Sequence, residues 1–171
     1  MNFKELRPRT YYALFVSILI FSFLIRIVPA LQNNFHFTMD QGDDAVYVRE
    51  IVERGQFLHR GPETNVTGVY AGPLWYYFLA IGYVAFNGHP FGAVFLLIIT
   101  SILLTAILMA EIKTKVGSAT ALMAGGGLQI FWWFYDISRY GFNPFPLVFL
   151  SVTTVLLLIR VMEGQRRKLI W

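Results

Sequence analysis

The chain of 171 residues has no cysteine and few charged side chains. The lack of cysteine excludes a disulfide-stapled secreted domain. Charged residues make up 14% of the sequence, against about 25% in soluble domains, which excludes a coiled coil and a disordered chain. Hydrophobic residues reach 56% and aromatic residues 17%, with a mean hydropathy of +0.55. The composition predicts an integral membrane protein, whose formal charge of +4 is first of all a signal of topology.

Four apolar segments are candidates for membrane crossing, because a helix needs about 20 apolar residues to span the hydrocarbon core. They cover residues 11–31, 90–110, 119–135 and 145–160. None shows the alternation of polar and apolar residues that is typical of a membrane barrel strand. The predicted fold is all-α, a polytopic membrane protein of about four transmembrane helices. The three glycines 125–127 in the third segment are expected to allow close helix packing.

Residues 72–86 form a further apolar stretch of 15 residues, which is short for a crossing. It is rich in tyrosine and tryptophan, which favour the headgroup level. If it does not cross, nine of the 14 Lys and Arg residues lie on the cytoplasmic side, as the positive-inside rule requires. These nine are Lys4, Arg7, Arg9, Lys113, Lys115, Arg160, Arg166, Arg167 and Lys168. We therefore predict four crossings with both termini in the cytoplasm, and an interfacial or re-entrant helix over residues 72–86.

This topology leaves one large external segment, residues 32–89, which holds six of the ten acidic residues. A second helix is predicted there over residues 43–54, with Asp43 and Asp44 in its first turn, where carboxylates suit the helix dipole. Its apolar face would hold it along the outer membrane surface. No repeat or soluble linker divides the chain, so residues 1–171 are interpreted as one transmembrane module.

The strongest candidates for a functional role in this external segment are three acidic residues, Asp40, Asp43 and Asp44. All three can also serve only to cap a helix and keep the loop soluble. Their spacing weakly resembles a metal cluster, but the closing glutamate of an EF-hand is absent and the three histidines lack zinc-ligand spacing. No metal ligand is assigned and no cofactor is certain, and a divalent metal ion stays an open alternative that the pattern does not support.

Two arginines stand out near the outer ends of the predicted spans. Arg26 lies inside the first span, where a charge should face a partner or a watery cavity, or else snorkel to the headgroups. Arg139 lies in the second outer loop, residues 136–144, as a surface charge or as a partner for a lipid phosphate. The Asn143-Pro144 turn is expected to keep that loop short and close to the membrane.

Four motifs occur in a specific order: Leu-Ile-Arg-Ile, Met-Asp-Gln-Gly-Asp-Asp-Ala, Gly-Pro-Leu-Trp-Tyr-Tyr and Ser-Arg-Tyr-Gly-Phe-Asn-Pro. The first ends the first predicted span, the next two lie in the external segment, and the last lies in the second outer loop. This order resembles the N-terminal portion of a GT-C class membrane glycosyltransferase of the family 39 type, which includes protein O-mannosyltransferases. The resemblance covers nearly the whole chain and is sharpest around Asp40 and the Gly-Pro-Leu-Trp-Tyr-Tyr motif.

The resemblance implies transfer of a sugar from a polyprenyl-phosphate donor to an acceptor hydroxyl on the extracytoplasmic side of a bacterial-type inner membrane. Asp40 matches the catalytic carboxylate of the family, which accepts the proton of the acceptor hydroxyl. The departing lipid phosphate needs a cation. The candidate substrate-binding residues are Arg139, Arg49, Arg26, Asp43, Asp44, Trp75 and Tyr76.

Two features depart from the family. Asp40-Gln41 stands where the family often has Asp-Glu, and family members are generally several times longer. The chain is therefore expected to be incomplete, with a C-terminal half or a partner membrane subunit completing the donor site; no nucleic acid is expected. The alternative is a non-enzymatic four-span protein, either an assembly subunit or a small transporter. A transporter should carry paired polar residues near the midplane, whereas the spans are interpreted as carrying only Arg26 and scattered Ser and Thr.

Overall fold

The fold is known from a computed structural model, which describes residues 5–141 and 146–162. Over these residues the chain is helical, with one isolated bridge between Glu63 and Tyr70 and no named strand. The helices are α1 (Pro8–Leu31), α2 (Met39–Arg54), α3 (Leu74–Ala85), α4 (Phe91–Lys115), α5 (Ser118–Ile130), α6 (Trp132–Ile137) and α7 (Pro146–Met162). The all-α prediction is confirmed. By length and composition, α1 and α4 could each cross a membrane.

Helices α1, α4 and α5 pack together, and their ends show how they run. The Leu6 N–H donates to Ser118 Oγ at 2.8 Å, and Lys113 Nζ donates to the Tyr12 hydroxyl at 3.3 Å. The start of α1 therefore lies beside the end of α4 and the start of α5. We call this end of the bundle the basic end. The opposite end, where α1 finishes and α4 begins, carries α2 and α3, and we call it the loop end.

The third predicted span is not one continuous helix. Phe131 has an extended backbone (φ −69°, ψ 110°) that separates α5 from α6. With this break, α6 buries Phe134 and Ile137 in a cluster with Leu97 and Phe149. Helix α6 runs through Ile137, so the outer turn begins at Ser138, two residues later than predicted. The predicted Asn143-Pro144 turn lies outside the described residues.

Close helix packing at the glycine run is confirmed for one of its three glycines. A Cβ on Gly125 would lie 2.3 Å from Met109 Sδ, so a methyl group there would displace α4 or its methionine. A Cβ on Gly126 would only touch Ile18 at 4.0 Å, and one on Gly127 would meet nothing within 4 Å. Only Gly125 is required by the contact between α4 and α5.

The first loop helix begins earlier than predicted. Thr38 and Gln41 form a capping box, in which the Thr38 N–H donates to Gln41 Oε1 at 2.5 Å, and α2 therefore starts at Met39. Asp40 lies in the first turn, and Asp43 and Asp44 follow it rather than opening the helix. The helix stops at Arg54 because Gly55 is left-handed (φ 63°).

Helix α3 joins α2 to the bundle. Val48 of α2 is buried in a cluster with Leu79 of α3 and Ala93 of α4. Helices α3 and α4 meet at two glycines: a Cβ on Gly82 would lie 2.5 Å from the backbone oxygen of Gly92. The predicted helix over residues 72–86 is present as the shorter α3, packed against α4 with almost no space between the two backbones.

Candidate functional site

Asp40 lies at the loop end, in the first turn of α2. Its side chain is exposed and makes no hydrogen bond or ion pair with another residue in the described part of the chain. A carboxylate in a first turn faces the partial positive charge of the helix N-terminus. Asp40 is thus accessible at the start of a helix.

The turn that carries Arg139 lies beside the segment that leads into α2. Arg139 Nη2 donates to the backbone oxygen of Asn34, and the hydroxyls of Thr38 and Tyr140 are 3.4 Å apart. His36 Nε2 lies 3.7 Å from Asp136 Oδ1. The structure therefore brings Arg139 and the helix start that carries Asp40 to the same end of the bundle, although they are a hundred positions apart in the sequence.

The Arg139 side chain is half-buried against Tyr135, one turn earlier in the chain. Its Nη1 donates to the Tyr135 hydroxyl, and its Cζ lies 4.9 Å from the centroid of that ring. Its Nε is buried and has no hydrogen-bond partner in the described residues. Tyr135 therefore holds the Arg139 side chain in place, and the Arg139 Nε–H remains without an acceptor.

Arg26 is fully buried and does not snorkel to the headgroups. Its Nε donates to Ser138 Oγ at 2.7 Å, and its Nη1 donates to the Ser22 carbonyl at 3.1 Å and the Ser22 hydroxyl at 3.0 Å. Its Cζ lies 5.5 Å from the ring centroids of both Phe134 and Tyr135. Within the described chain its Nη2 has no partner. The alternative of a partner inside the bundle is therefore the correct one, and that partner is neutral.

The hydrogen-bond network around Arg26 includes a residue that the sequence interpretation missed. The Ser22 hydroxyl donates to Gln129 Oε1 at 2.6 Å, and Gln129 Nε2 donates to Thr105 Oγ1 at 3.3 Å. The statement that the apolar segments carry only Arg26, Ser and Thr was wrong, because Gln129 lies in the third segment. An amide inside an apolar run was the available signal, since such a group must find hydrogen-bond partners when it is buried.

Arg26 and Arg139, which we call the arginine pair, have no acidic partner. Among the described residues, no carboxylate lies within ion-pair distance of either guanidinium, and the nearby Asp136 faces His36. A buried guanidinium without a counter-charge is costly. Both side chains contact the ring of Tyr135, so their positive charges act on the same small region. This arrangement suits the binding of an anion such as a phosphate.

Asp44, Trp75 and Tyr76 are brought together, but by packing rather than around an open site. Trp75 Nε1 donates to Asp44 Oδ2 at 2.6 Å, and the Tyr76 ring stacks on Tyr47 at 5.1 Å. Asp44 and Tyr76 are only 4% and 2% exposed. Burial raises the pKa of the Asp44 carboxyl to about 6, although the hydrogen bond from Trp75 opposes this shift. These side chains join α2 to α3.

Asp43 and Arg49 lie on the outer surface of α2. Arg49 Nε is 3.6 Å from Glu53 Oε1 in an exposed ion pair one turn along the helix, rather than beside Arg26 and Arg139. Asp43 lines an open groove with Val46 and Glu50. The described residues contain no cluster of three or more His, Cys, Asp or Glu that could hold a metal ion.

Comparisons of the chain with protein-family models, with curated proteins and with solved structures give no match. The resemblance to GT-C glycosyltransferases thus stays a prediction from the sequence motifs.

Proposed function

We propose that the chain is the N-terminal part of a membrane glycosyltransferase, which moves a sugar from a polyprenyl-phosphate donor to an acceptor hydroxyl on the extracytoplasmic side. The observation that carries this proposal is the position of Arg139 beside the start of α2, where Asp40 is exposed. A general base and a phosphate-binding cation at one end of a helical bundle are what this reaction needs.

The arginine pair supports an anionic lipid as the donor. The two guanidiniums lack an acidic partner in the part of the chain that the structure describes, and each has one buried nitrogen without a hydrogen bond. Arg139 is the more accessible of the two, and the buried charge of Arg26 adds to the positive potential behind it. Because Arg26 is fully buried and shielded from water, this potential is screened less than at an aqueous surface.

The proposal includes four membrane crossings, with the basic end in the cytoplasm of a bacterial-type cell. The four crossings are supported by an ion pair at the basic end, which joins Arg160 of α7 to Glu111 of α4. At the other end, the Tyr135 hydroxyl near the end of α6 donates to the Ile25 carbonyl at 3.4 Å. The α5–α6 pair thus extends along α1 and α4, and α7 extends along α4. The clustering of Arg7, Arg9, Lys113, Lys115 and Arg160 at the basic end agrees with the positive-inside rule.

In the proposed reaction, the acceptor oxygen attacks the anomeric carbon of the sugar, and the bond from that carbon to the phosphate oxygen breaks. The proton of the acceptor hydroxyl moves to the Asp40 carboxylate. The electron pair of the broken bond leaves with the phosphate, whose charge is stabilised by Arg139 with Arg26 behind it.

The test is sugar transfer by the full-length protein purified from its own membrane and reconstituted in liposomes with labelled polyprenyl-phosphate sugars. Asp40→Asn should reduce transfer by about 100-fold or more, because general-base catalysis contributes roughly that factor. Glu53→Gln removes an exposed acid from the same helix and should retain wild-type transfer. Both variants should unfold at the wild-type temperature, because exposed substitutions change stability little.

Equal transfer by the Asp40→Asn and Glu53→Gln variants would contradict the role of Asp40. If the wild-type protein neither binds nor consumes any polyprenyl-phosphate sugar, the glycosyltransferase proposal is wrong, and the alternative of an assembly subunit or small transporter replaces it.

A further inference from the structure

Asp44 lies in the middle of the buried face of α2. Gln41, Asp44 and Val48 are the buried residues of this helix, at a spacing of one turn each. Their face packs against α3, where Trp75, Leu79 and neighbouring side chains complete the cluster around Val48. A carboxylate thus lies where the helix pattern calls for an apolar side chain.

The carboxylate of Asp44 is poorly supplied with partners. An ionised carboxylate can accept about four hydrogen bonds, yet in the described structure Asp44 accepts one side-chain hydrogen bond, from Trp75. The phenols of Tyr76 and Tyr83 on α3 and the carboxylates of Asp40 and Asp43 on α2 itself are also close enough to interact electrostatically with Asp44. None of these groups is positively charged, and the two aspartates repel a charge on Asp44.

Gln41, one turn before Asp44, has a hydrogen-bond donor without an acceptor. Its Oε1 accepts from the Thr38 N–H and hydroxyl and so completes the capping box, whereas its Nε2 is buried and unpartnered within the described chain. Residues three positions apart lie on the same helix face. An unused amide donor therefore lies one turn from a carboxylate with unused acceptors.

We propose that Asp44 is a pH-sensitive positioning residue. When Asp44 is neutral, α2 packs tightly against α3. When Asp44 is ionised, it attracts the Gln41 amide away from Thr38, and the first turn of α2 becomes mobile. That turn carries Asp40. This change in the first turn of α2 is inferred from the packing of α2 against α3. Only its consequence for catalysis rests on the proposed function.

The sign of the pH effect follows from the raised pKa of Asp44. Between about pH 4 and pH 6, the folded protein binds this proton more tightly than the unfolded chain does, since its pKa in the fold is about 6. The stability of the α2–α3 contact is therefore highest in acid and falls as the pH rises through this window. Above it, Asp44 is ionised in both states and the contact stays weaker.

The chain has no cysteine, so one introduced cysteine can report on the first turn of α2. A spin label at Met39→Cys, an exposed position in that turn, should become more mobile with rising pH, with a midpoint near the Asp44 pKa. Asp44→Asn should abolish the step. Asp43→Asn should keep it at a slightly lower pH, because one repelling charge is removed. Trp75→Phe should shift it to higher pH, since the hydrogen bond that favours the charged form is lost.

The matching stability experiment separates the switch from a plain structural bond. Asp44→Asn should match the wild-type unfolding temperature below about pH 4 and exceed it at pH 8. A lower unfolding temperature at both pH values would mean that Asp44 is only a hydrogen-bond acceptor, and a mobility step that persists in Asp44→Asn would also overturn the proposal. These measurements use no sugar donor, so they can fail or succeed independently of the glycosyltransferase proposal.

Discussion

Arg26 of α1 donates its Nε–H to Ser138 Oγ at 2.7 Å, across 112 positions of the sequence. Ser138 in turn donates to the Tyr135 carbonyl at 2.7 Å, which fixes the direction of its hydroxyl. Both Arg26 and Ser138 are fully buried. This pair attaches the first helix to the turn that carries Arg139, so the stability of the bundle and the geometry of the proposed phosphate site depend on the same bond.

Ser138→Ala should lower the free energy of unfolding by about 1–3 kcal/mol, because the Arg26 Nε–H is left buried without an acceptor. Ser17→Ala is the matched control, since the Ser17 hydroxyl is exposed and donates to the Ala13 carbonyl of its own helix. Denaturant unfolding in detergent micelles measures both. Similar losses for the two variants would show that the Arg26–Ser138 bond contributes nothing specific.

Arg139→Ala should weaken donor binding by about 10- to 100-fold, because loss of a charge-assisted hydrogen bond costs roughly 1.5–3 kcal/mol. Arg139→Lys should recover only part of the affinity, since the planar guanidinium fork is lost. Arg54→Ala removes an exposed arginine that pairs with Glu50 of the same helix and serves as the control. The measurement is binding of a polyprenyl-phosphate sugar to the full-length protein in nanodiscs. Wild-type affinity in Arg139→Ala would contradict its role in binding the phosphate and leave Arg49 or Arg26 as the next candidate.

Gly82→Ala should destabilise the protein by about 1–3 kcal/mol, the usual cost of overpacking. The new Cβ would lie 2.5 Å from the Gly92 oxygen and 2.6 Å from the Gly92 carbonyl carbon, and backbone atoms cannot rotate away. Gly127→Ala, with open space around the Cβ, should change stability little. Thermal unfolding of both variants tests the contact between α3 and α4, and equal stability of the two would mean that the helices can separate at no cost.

Reporter fusions test the topology. Fusions after Lys115 and after Trp171 should give cytoplasmic signals, and a fusion after Arg60 an external one, because the basic residues near the ends of the helices favour the cytoplasm. An external signal after Lys115 would mean that residues 72–86 cross the membrane, which contradicts four crossings.

The start of α2 could have been predicted more closely from the sequence. Thr38 and Gln41 have the spacing of a capping box, and this local signal places the helix start at Met39 rather than at Asp43. The break at Phe131 had no such signal. Neither glycine nor proline occurs between Leu128 and Ile137, and the burial of Phe134 depends on partners in α4 and α7.

The sequence by itself determined the helical class, the apolar segments that became α1 and α4, and the presence of Asp40 next to a helix of the external segment. Hydropathy and capping are local properties, so short windows of sequence contain them. Only the tertiary structure decided that Arg26 is enclosed rather than snorkelling, that it shares Tyr135 with Arg139, and that Asp44 is buried against Trp75. Each of these depends on contacts between distant segments, where close packing rather than local propensity selects which polar groups are buried together.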